Sequence, residues 1–310
     1  MSVIEGTMSK MVIACALAVF AGCTSEVDLG DGETLTVRRL EIKGGTTDTE
    51  HTSVVGILVD LGSAQAICSG TLIAPNLVLT AQHCVAQLTS AYVICGQTPF
   101  GSQFPASSFF VTTQTTLPQS TDGYYRVDAV HVPPGGNDTC GYDIALLELS
   151  ENVPANVTTP IVPRVDIPAI LGETYTAVGY GHIGNDTGAG TRRQIGDREV
   201  LCATGDCPQN QGIHPREFAG TDGTCQGDSG GAPIDSKGRV LGALSRGPEG
   251  CAGSVYSSVS AWSDWMRDIG ASAATAGGYA APLWVTDGIS EPPADDPDLV
   301  TDLARTTSYV

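Results

Sequence analysis

Short apolar runs separated by turn residues dominate the hydrophobic pattern of this chain. Runs such as Leu77–Thr80 and Ile144–Leu149 are rich in Leu, Ile and Val, and Gly, Pro, Asn and Asp stand between the runs. Apolar positions at helical spacing are scarce. Short apolar segments punctuated by turn residues are typical of strands. The pattern therefore predicts an all-β fold with many turns.

The pattern changes after Ile269. Residues 270–310 are rich in Ala, Gly, Pro and acidic side chains, and they lack an apolar run long enough to span a membrane. We therefore predict a flexible acidic tail over 272–310. The apolar group Leu283–Val285 could instead dock on the domain or on a partner, but the flexible tail is the preferred interpretation.

Composition and charge narrow the class of protein. The chain has 310 residues, of which 41% are hydrophobic and 16% charged, and its formal net charge is -19. An acidic surface disfavours nucleic acid and anionic membranes as partners, so neither is expected. About 230 residues between the two termini are enough for one large domain.

The N-terminus has the features of an export signal. A short apolar segment, Met11–Ala21, is followed by Gly22 and Cys23. It is too short for a lasting membrane helix, and residues 1–22 are predicted to be a signal peptide. The Ala-Gly-Cys ending resembles a bacterial lipoprotein cleavage box, which would make Cys23 the lipidated residue. An ordinary signal-peptidase cut near Ala21 is the alternative, and the protein is expected outside the cell or in the cell envelope.

A glycine-rich turn in the second half of the chain contains a candidate nucleophile. Ser229 lies between Asp228 and two glycines, and Gly227 precedes them. Glycines permit positive φ and close backbone approach. Such a turn can direct the amides of Gly227 and Ser229 at one point, as an oxyanion site requires. Because a hydroxyl alone is a poor nucleophile, a base and a carboxylate are needed as well.

Both groups have candidates in the first half of the chain. His83 follows the apolar run Leu77–Thr80 and is itself followed by Cys84, which could fix it. Asp143 opens an apolar run that is suited to burial. A buried aspartate that accepts a hydrogen bond from an imidazole holds its tautomer and stabilises the imidazolium.

In these motifs the chain resembles the chymotrypsin/trypsin family of serine proteases, over about residues 42–271. The order His, Asp, Ser matches, and the resemblance implies two Greek-key β-barrels packed together with a short C-terminal helix. It also implies a serine endopeptidase that forms an acyl-enzyme, needs no cofactor or metal, and acts as a monomer on protein or peptide substrates. The segments that carry the resemblance are Cys68–Cys84, Tyr142–Leu149, Cys225–Pro233, Val240–Gly247 and the stretch from Val255 to Trp265.

The resemblance also locates a substrate pocket. Gly223 stands where trypsin-type members have an acidic residue, so a neutral pocket for small or medium apolar side chains is predicted. A shifted alignment would use Asp222 instead, and Arg246 could draw acidic side chains by a charge-assisted hydrogen bond. The pocket residues implied are Gly223, Thr224, Ser245, Arg246, Gly247 and Ser254.

Activation by cleavage is implied as well. Ile42-Lys43-Gly44-Gly45 resembles the start of the mature chain in the family, so residues 23–41 would form a pro-segment. The freed α-amino group of Ile42 would then pair with Asp228 and order the oxyanion turn. Glu41 precedes this bond where a basic residue is usual, which leaves the activating protease open.

Cysteines other than Cys15 and Cys23 form an even set of eight, which suits an oxidising compartment. The resemblance implies Cys68–Cys84 and Cys225–Cys251. Cys202 and Cys207 are close enough for a local loop, and Cys95 and Cys140 remain for each other. Zinc binding by Cys202, Cys207 and His214 is the alternative for two of these cysteines.

Three other functions remain open at this point. A protease-like binding module without activity is the main rival, although no triad residue is missing from the sequence. An esterase could use the same three groups. A structural envelope protein would explain the lipoprotein-like signal but not the nucleophile turn.

Overall fold

The computed structural model describes residues 45–62, 64–90, 92–182, 188–208, 211–248 and 251–290. All of them belong to one of two compact units, Arg39–Val310, and the other unit, Met1–Arg38, lies outside the described residues. Four N-terminal predictions also lie outside them: the signal peptide 1–22, lipidation at Cys23, the pro-segment 23–41 and the new N-terminus at Ile42.

Strands make up most of the regular structure, as the apolar pattern predicts. They are β1 (Thr46–Thr47), β2 (Val54–Asp60), β3 (Gln65–Ala74), β4 (Leu77–Thr80), β5 (Ala86–Leu88), β6 (Phe100–Gln103), β7 (Phe109–Thr112), β8 (Tyr125–His131), β9 (Ala145–Leu149), β10 (Thr174–Gly179), β11 (Arg193–Ala203), β12 (Glu217–Gly220), β13 (Ala232–Asp235), β14 (Gly242–Arg246) and β15 (Ser254–Ser258). Helical segments are the turn α1 (Thr139–Tyr142), α2 (Ser263–Gly277), α3 (Leu283–Thr286) and the 3-10 turns Gln82–Cys84, Ala106–Ser108, Thr121–Gly123 and Ser260–Trp262.

The first half of the domain is a closed barrel of six strands in the order β2-β3-β4-β9-β8-β7. Alternate residues of its strands, such as Val55, Ile57 and Val59 of β2, pack on Phe109 and Val111 in one buried cluster. Because side chains alternate between the two faces of a strand, these residues of β2 share the face inside the barrel, while Val54 on the other face joins a second buried cluster.

The second half is a half-barrel sheet in the order β13-β10-β11-β12-β15-β14, with β1 paired to β11. Aromatic residues fill its core: Phe218 stacks on Tyr256 at a centroid distance of 4.9 Å, and Tyr175 meets Tyr256 edge-on at 5.5 Å. The predicted all-β architecture with a C-terminal helix is confirmed, except that only the first sheet closes completely.

A third apolar cluster joins the two halves. It combines Leu77 and Leu79 from the first half with Val178 and Ile234 from the second, and the C-terminal helices pack against it through residues such as Met266. Because close-packed side chains from both halves are buried in this one cluster, the halves are fixed against each other. Residues from both halves can therefore meet in a stable geometry.

The structure differs from the flexible segment expected from residue 272. Helix α2 continues to Gly277, and Trp284 is only 2% exposed, with its indole N–H donating to Ile73 O at 3.2 Å. Gly270 leaves the space that the Trp284 ring occupies. Ser290 is tied to Pro163 O by its hydroxyl. The segment 272–290 is therefore packed on the domain, while 291–310 lies outside the described residues.

Four disulfides join the cysteine pairs expected from the sequence: Cys68–Cys84, Cys95–Cys140, Cys202–Cys207 and Cys225–Cys251. The bond between Cys202 and Cys207 removes two of the three ligands of the alternative zinc site. Within the described part of the chain, no helix combines the length and apolar character needed to cross a membrane.

Candidate active site

His83 is held at the end of a buried strand. The strand β4 is wholly buried, and the chain leaves it through extended Ala81 into the tight turn Gln82–Cys84. The Cys68–Cys84 disulfide ties this turn to the neighbouring strand β3. The His83 side chain is 14% exposed, so its ring is enclosed but still reaches the surface of the cleft.

Asp143 fixes His83 at two points, one on the ring and one on the backbone. Its Oδ2 lies 2.8 Å from His83 Nδ1, and its Oδ1 accepts the backbone N–H of His83 at 2.8 Å. Asp143 is fully buried. Burial by itself lowers the pKa of His83, but the charge and hydrogen bond of Asp143 outweigh it, so that the pKa is raised above its usual value. Since the carboxylate accepts at Nδ1, Nε2 of the neutral ring is left as the basic nitrogen.

Two serines of the second half hold Asp143 in turn. The Ser245 hydroxyl on β14 donates to Asp143 Oδ2 at 2.6 Å, and the Ser257 hydroxyl on β15 donates to its backbone carbonyl at 2.7 Å. Ser245 was predicted only as a pocket residue, and Ser257 was not predicted at all. Both serines lie in segments that carry the resemblance, but nothing in those segments indicates a contact with an aspartate more than 100 positions away.

The turn that carries Ser229 docks on the strands around His83. The Ser69 N–H donates to Ser229 O at 2.8 Å, and the Ser69 hydroxyl donates to Gly227 O at 3.0 Å. A Cβ on Gly230 would lie 2.2 Å from Thr80 Oγ1, so only glycine allows this approach. The turn is thus packed against β3 and against the end of β4, the strand that leads to His83.

The backbone of this turn leaves two amides available. Gly227 has a φ of +89°, which favours glycine, and the N–H of the next residue, Asp228, donates back to Cys225 O at 3.1 Å. Among the described residues, neither the Gly227 N–H nor the Ser229 N–H has an acceptor. The described residues also include no hydrogen bond between the Ser229 hydroxyl and His83.

Asp228 is buried beside a narrow crevice that is lined by apolar residues together with Arg193 and Gln194. Its carboxylate accepts the N–H groups of Gly181 at 2.8 Å and Cys225 at 2.9 Å, and no cation of the described residues pairs with it. Burial raises the pKa of Asp228 to about 7, although both hydrogen bonds oppose the shift. Val178 and Ile195 contribute to the walls of the crevice.

Apart from Arg246, the residues predicted to form the substrate pocket carry no charge. Gly223 is buried with a φ of +125°, and the hydroxyls of Thr224 and Ser254 are hydrogen-bonded to each other. A Cβ on Gly247 would lie 2.4 Å from Gly253 O, so these two backbone segments are in direct contact. The alternative acid, Asp222, is 57% exposed and pairs with Arg198 at 3.1 Å, so it does not supply charge to a buried pocket base.

Arg246 is turned toward an internal partner that the sequence did not reveal. Its Nη1 and Nη2 donate to the two carboxylate oxygens of Glu217 at 2.7 Å and 2.8 Å. Nη2 also donates to Gly212 O at 2.7 Å. Because its charge is matched inside the protein, this pairing argues against the alternative in which Arg246 attracts acidic substrate side chains.

Comparisons with known proteins identify a family for the sequence. The sequence matches the family model described as Trypsin over residues 42–266. A trypsin of Saccharopolyspora erythraea is 30% identical, and the alignment covers 71% of this chain and 92% of that protein. Human kallikrein-2 is 28% identical, with 84% of this chain and 98% of that protein covered. Human chymotrypsin-like elastase family member 1 is 30% identical over 68% of this chain and 84% of its own length.

A solved structure shares the fold. A scabies mite inactivated protease paralogue superposes with a TM-score of 0.55 and 20% identity, over 73% of this chain and 98% of that one. At this identity the likeness concerns the fold alone. The family match, by contrast, spans well over half of the sequence and includes every residue of the candidate site described above. The chain belongs to the trypsin family.

Proposed function

We propose that the chain is a serine endopeptidase that cleaves peptide bonds with His83, Asp143 and Ser229. The observation that carries the proposal is the double attachment of His83 to buried Asp143, at 2.8 Å through both the ring and the backbone. Packing of the Ser229 turn against Ser69 and Thr80 supports it, because those contacts bring the hydroxyl-bearing turn to the strands that flank the imidazole.

The chemistry follows from the atoms present. His83 Nε2 takes the proton of the Ser229 hydroxyl as its oxygen attacks the carbonyl carbon of the scissile bond. The N–H groups of Gly227 and Ser229 stabilise the oxyanion that forms. His83 then gives the proton to the leaving amine, and water hydrolyses the acyl-enzyme by the same steps in reverse order. Asp143 stabilises the imidazolium that forms on His83.

We further propose that the chain is made as an inactive precursor. A buried carboxylate without a cation is costly, and the raised pKa of Asp228 reflects that cost. The α-amino group of Ile42, freed by cleavage after Glu41, would supply the missing charge. The walls that Val178 and Ile195 contribute to the crevice beside Asp228 are suited to an aliphatic side chain. The protein is also proposed to be exported, with a lipid on Cys23 as its only attachment to a membrane before cleavage.

The proposed substrates are proteins or peptides with a small or medium apolar side chain before the scissile bond. Gly223 adds no charge to the pocket, and the bonded hydroxyls of Thr224 and Ser254 present a neutral, polar pair. The guanidinium group of Arg246 is paired with the Glu217 carboxylate, so it is not expected to bind an acidic substrate side chain.

Labelling with an organophosphate tests the proposed activity. The full-length protein and protein processed to begin at Ile42 are each treated with a fluorophosphonate probe, with Ser229→Ala as the matched control. We expect strong labelling of the processed form, weak labelling of the precursor and none of the variant. A processed protein that begins at Ile42 and takes up no label would contradict the proposal and favour the inactive binding module. That second candidate rests on the missing hydrogen bond between Ser229 and His83.

A further inference from the structure

A buried ion pair lies directly behind the candidate triad. Arg246 on β14 forms a two-point contact with Glu217 on β12, through bonds of 2.7 Å and 2.8 Å. The Glu217 side chain is fully buried, and that of Arg246 is 16% exposed. Enclosing two charges costs free energy unless further hydrogen bonds satisfy them, so the other contacts of this pair indicate its role.

Arg246 is connected to the imidazole through two groups. Its Nη1 also donates to the Ser245 hydroxyl at 3.2 Å, that hydroxyl donates to Asp143 Oδ2 at 2.6 Å, and Oδ2 binds His83 Nδ1 at 2.8 Å. A serine hydroxyl has one proton. Because Arg246 can only donate, its contact leaves the Ser245 proton for Asp143.

Glu217 holds the turn that leads to the aspartate. Its Oε1 accepts the N–H of Gly141 at 2.7 Å, and its Oε2 accepts the N–H of His214 at 2.8 Å. Gly141 has a φ of +83° and lies two residues before Asp143, so its conformation determines where the carboxylate is presented. Each oxygen of Glu217 thus has one partner on Arg246 and one on the backbone.

We propose that Glu217 and Arg246 are positioning residues for Asp143 and His83 of the proposed peptidase, on which this inference rests. Glu217 fixes the Gly141 turn, and Arg246 directs the Ser245 hydroxyl to Asp143 and sets a positive charge close to His83.

The charges around His83 are consistent with this role. Asp143 and Arg246 are the charged groups that act on its pKa: burial lowers the pKa, Asp143 raises it above the usual value, and Arg246 opposes that increase. Glu217, Asp143 and Asp138 are the charged groups that face Arg246. Removing the guanidinium should therefore raise the pKa of His83 further and move the onset of activity to higher pH.

The experiment separates positioning from folding. His83 is titrated by NMR in Ser229→Ala protein with and without Arg246→Met, and its resonance is identified by its loss in His83→Ala. In processed enzyme with Ser229 intact, kcat and KM are measured for the same change. In the NMR titration we expect Arg246→Met to raise the pKa of His83. In the kinetic measurement we expect a loss of about tenfold in kcat and a smaller change in KM, because a hydrogen bond from a charged donor is lost behind the triad.

A matched control is available at the far side of the second half. Arg164 forms a similar buried fork with Glu173, at 2.6 Å and 2.8 Å, and has no contact with the triad. Arg164→Met should lower the midpoint of urea unfolding while His83 titrates as in the parent. Arg246→Lys keeps the charge, so it should retain the parent pKa of His83 and recover part of kcat.

Two outcomes would overturn the inference: a folded Arg246→Met protein in which His83 titrates as in the parent, or one in which KM rises and kcat is unchanged. If Arg246→Met does not fold, the double variant Glu217→Gln/Arg246→Met removes both charges and is titrated instead. The NMR titration uses inactive protein, so it remains decisive even if the parent takes up no organophosphate. Absence of labelling would count against the proposed function alone.

Discussion

Single residues determine the selectivity expected of the pocket. Processed enzyme offered matched peptides with Ala, Leu, Glu or Arg before the scissile bond should prefer Ala or Leu. The reason is that Gly223, Thr224 and Ser254 provide no charge, and Arg246 is bound to Glu217. The measurement is kcat/KM for each peptide.

Asp222→Asn is the matched variant for this measurement. Asp222 is 57% exposed and paired with Arg198, so its charge should not affect selectivity, and the order of the four peptides should be unchanged. A preference for Arg that the variant abolishes would show that Asp222 is the specificity acid and would refute the neutral pocket.

Residues in local motifs could be predicted, whereas their distant partners could not. His83 and Asp143 were identifiable because short apolar strands precede or follow them. Glu217 has no such context: its role depends on reaching Gly141 and Arg246, residues far from it in sequence. Arg246 was predicted as a pocket residue, but the direction of its guanidinium depends on Glu217, which the sequence did not indicate as its partner.

At the scale of elements, the C-terminal segment contributes to the domain rather than extending from it. An Ala- and Gly-rich sequence resembles a flexible tail because it has few apolar side chains. In this chain a small residue permits close packing instead, since Gly270 provides the space for the Trp284 ring. A hydrogen bond from Arg267 to Val285 O at 2.9 Å joins the same two helices. Such complementarity between two short elements is not visible in composition.

Trp284→Ala tests the contribution of this element. The side chain is 2% exposed and its N–H is bonded to Ile73 O, so the substitution leaves a cavity and an unpaired carbonyl. We expect a loss of about 3–5 kcal/mol in the free energy of unfolding, measured by urea denaturation in Ser229→Ala protein to prevent self-digestion. Leu283→Ala is the control, because Leu283 is 45% exposed and should cost less than about 1 kcal/mol. Equal effects of the two changes would mean that the segment is not docked in solution.

Across the whole molecule, the two halves are joined by the same residues that form the site. Asp143, from the first half, is held by Ser245 and Ser257 of the second, and Ser69 of the first half holds the Ser229 turn. The resemblance predicted two barrels packed together, because the motifs occur in the family order. It did not predict the hydrogen bonds between the halves: the serines that form them lie within the resembling segments, but no local pattern there indicates a distant partner.

The free energy of unfolding of the uncleaved precursor should fall as the pH rises toward neutral, because buried Asp228 then ionises. Burial raises the pKa of Asp228 from 3.8 to about 7, so the folded chain binds this proton more tightly than the unfolded chain. The stabilising contribution is complete below 3.8 and is lost as the pH rises to about 7. The loss is on the order of 4 kcal/mol if the full shift applies.

Asp228→Asn tests this in the uncleaved chain. The amide does not ionise, so the decline in unfolding free energy between about pH 4 and pH 7 should be smaller than in the Ser229→Ala parent. The slopes are compared rather than the absolute values, because the amide also loses one acceptor for the N–H of Cys225 at every pH. Processing at Ile42 should flatten the parent slope in the same way, since the new ammonium group compensates the carboxylate. Identical slopes in the precursor, the processed parent and the variant would show that Asp228 carries no pH-dependent cost, and the proposed activation by charge pairing would then lose its physical basis.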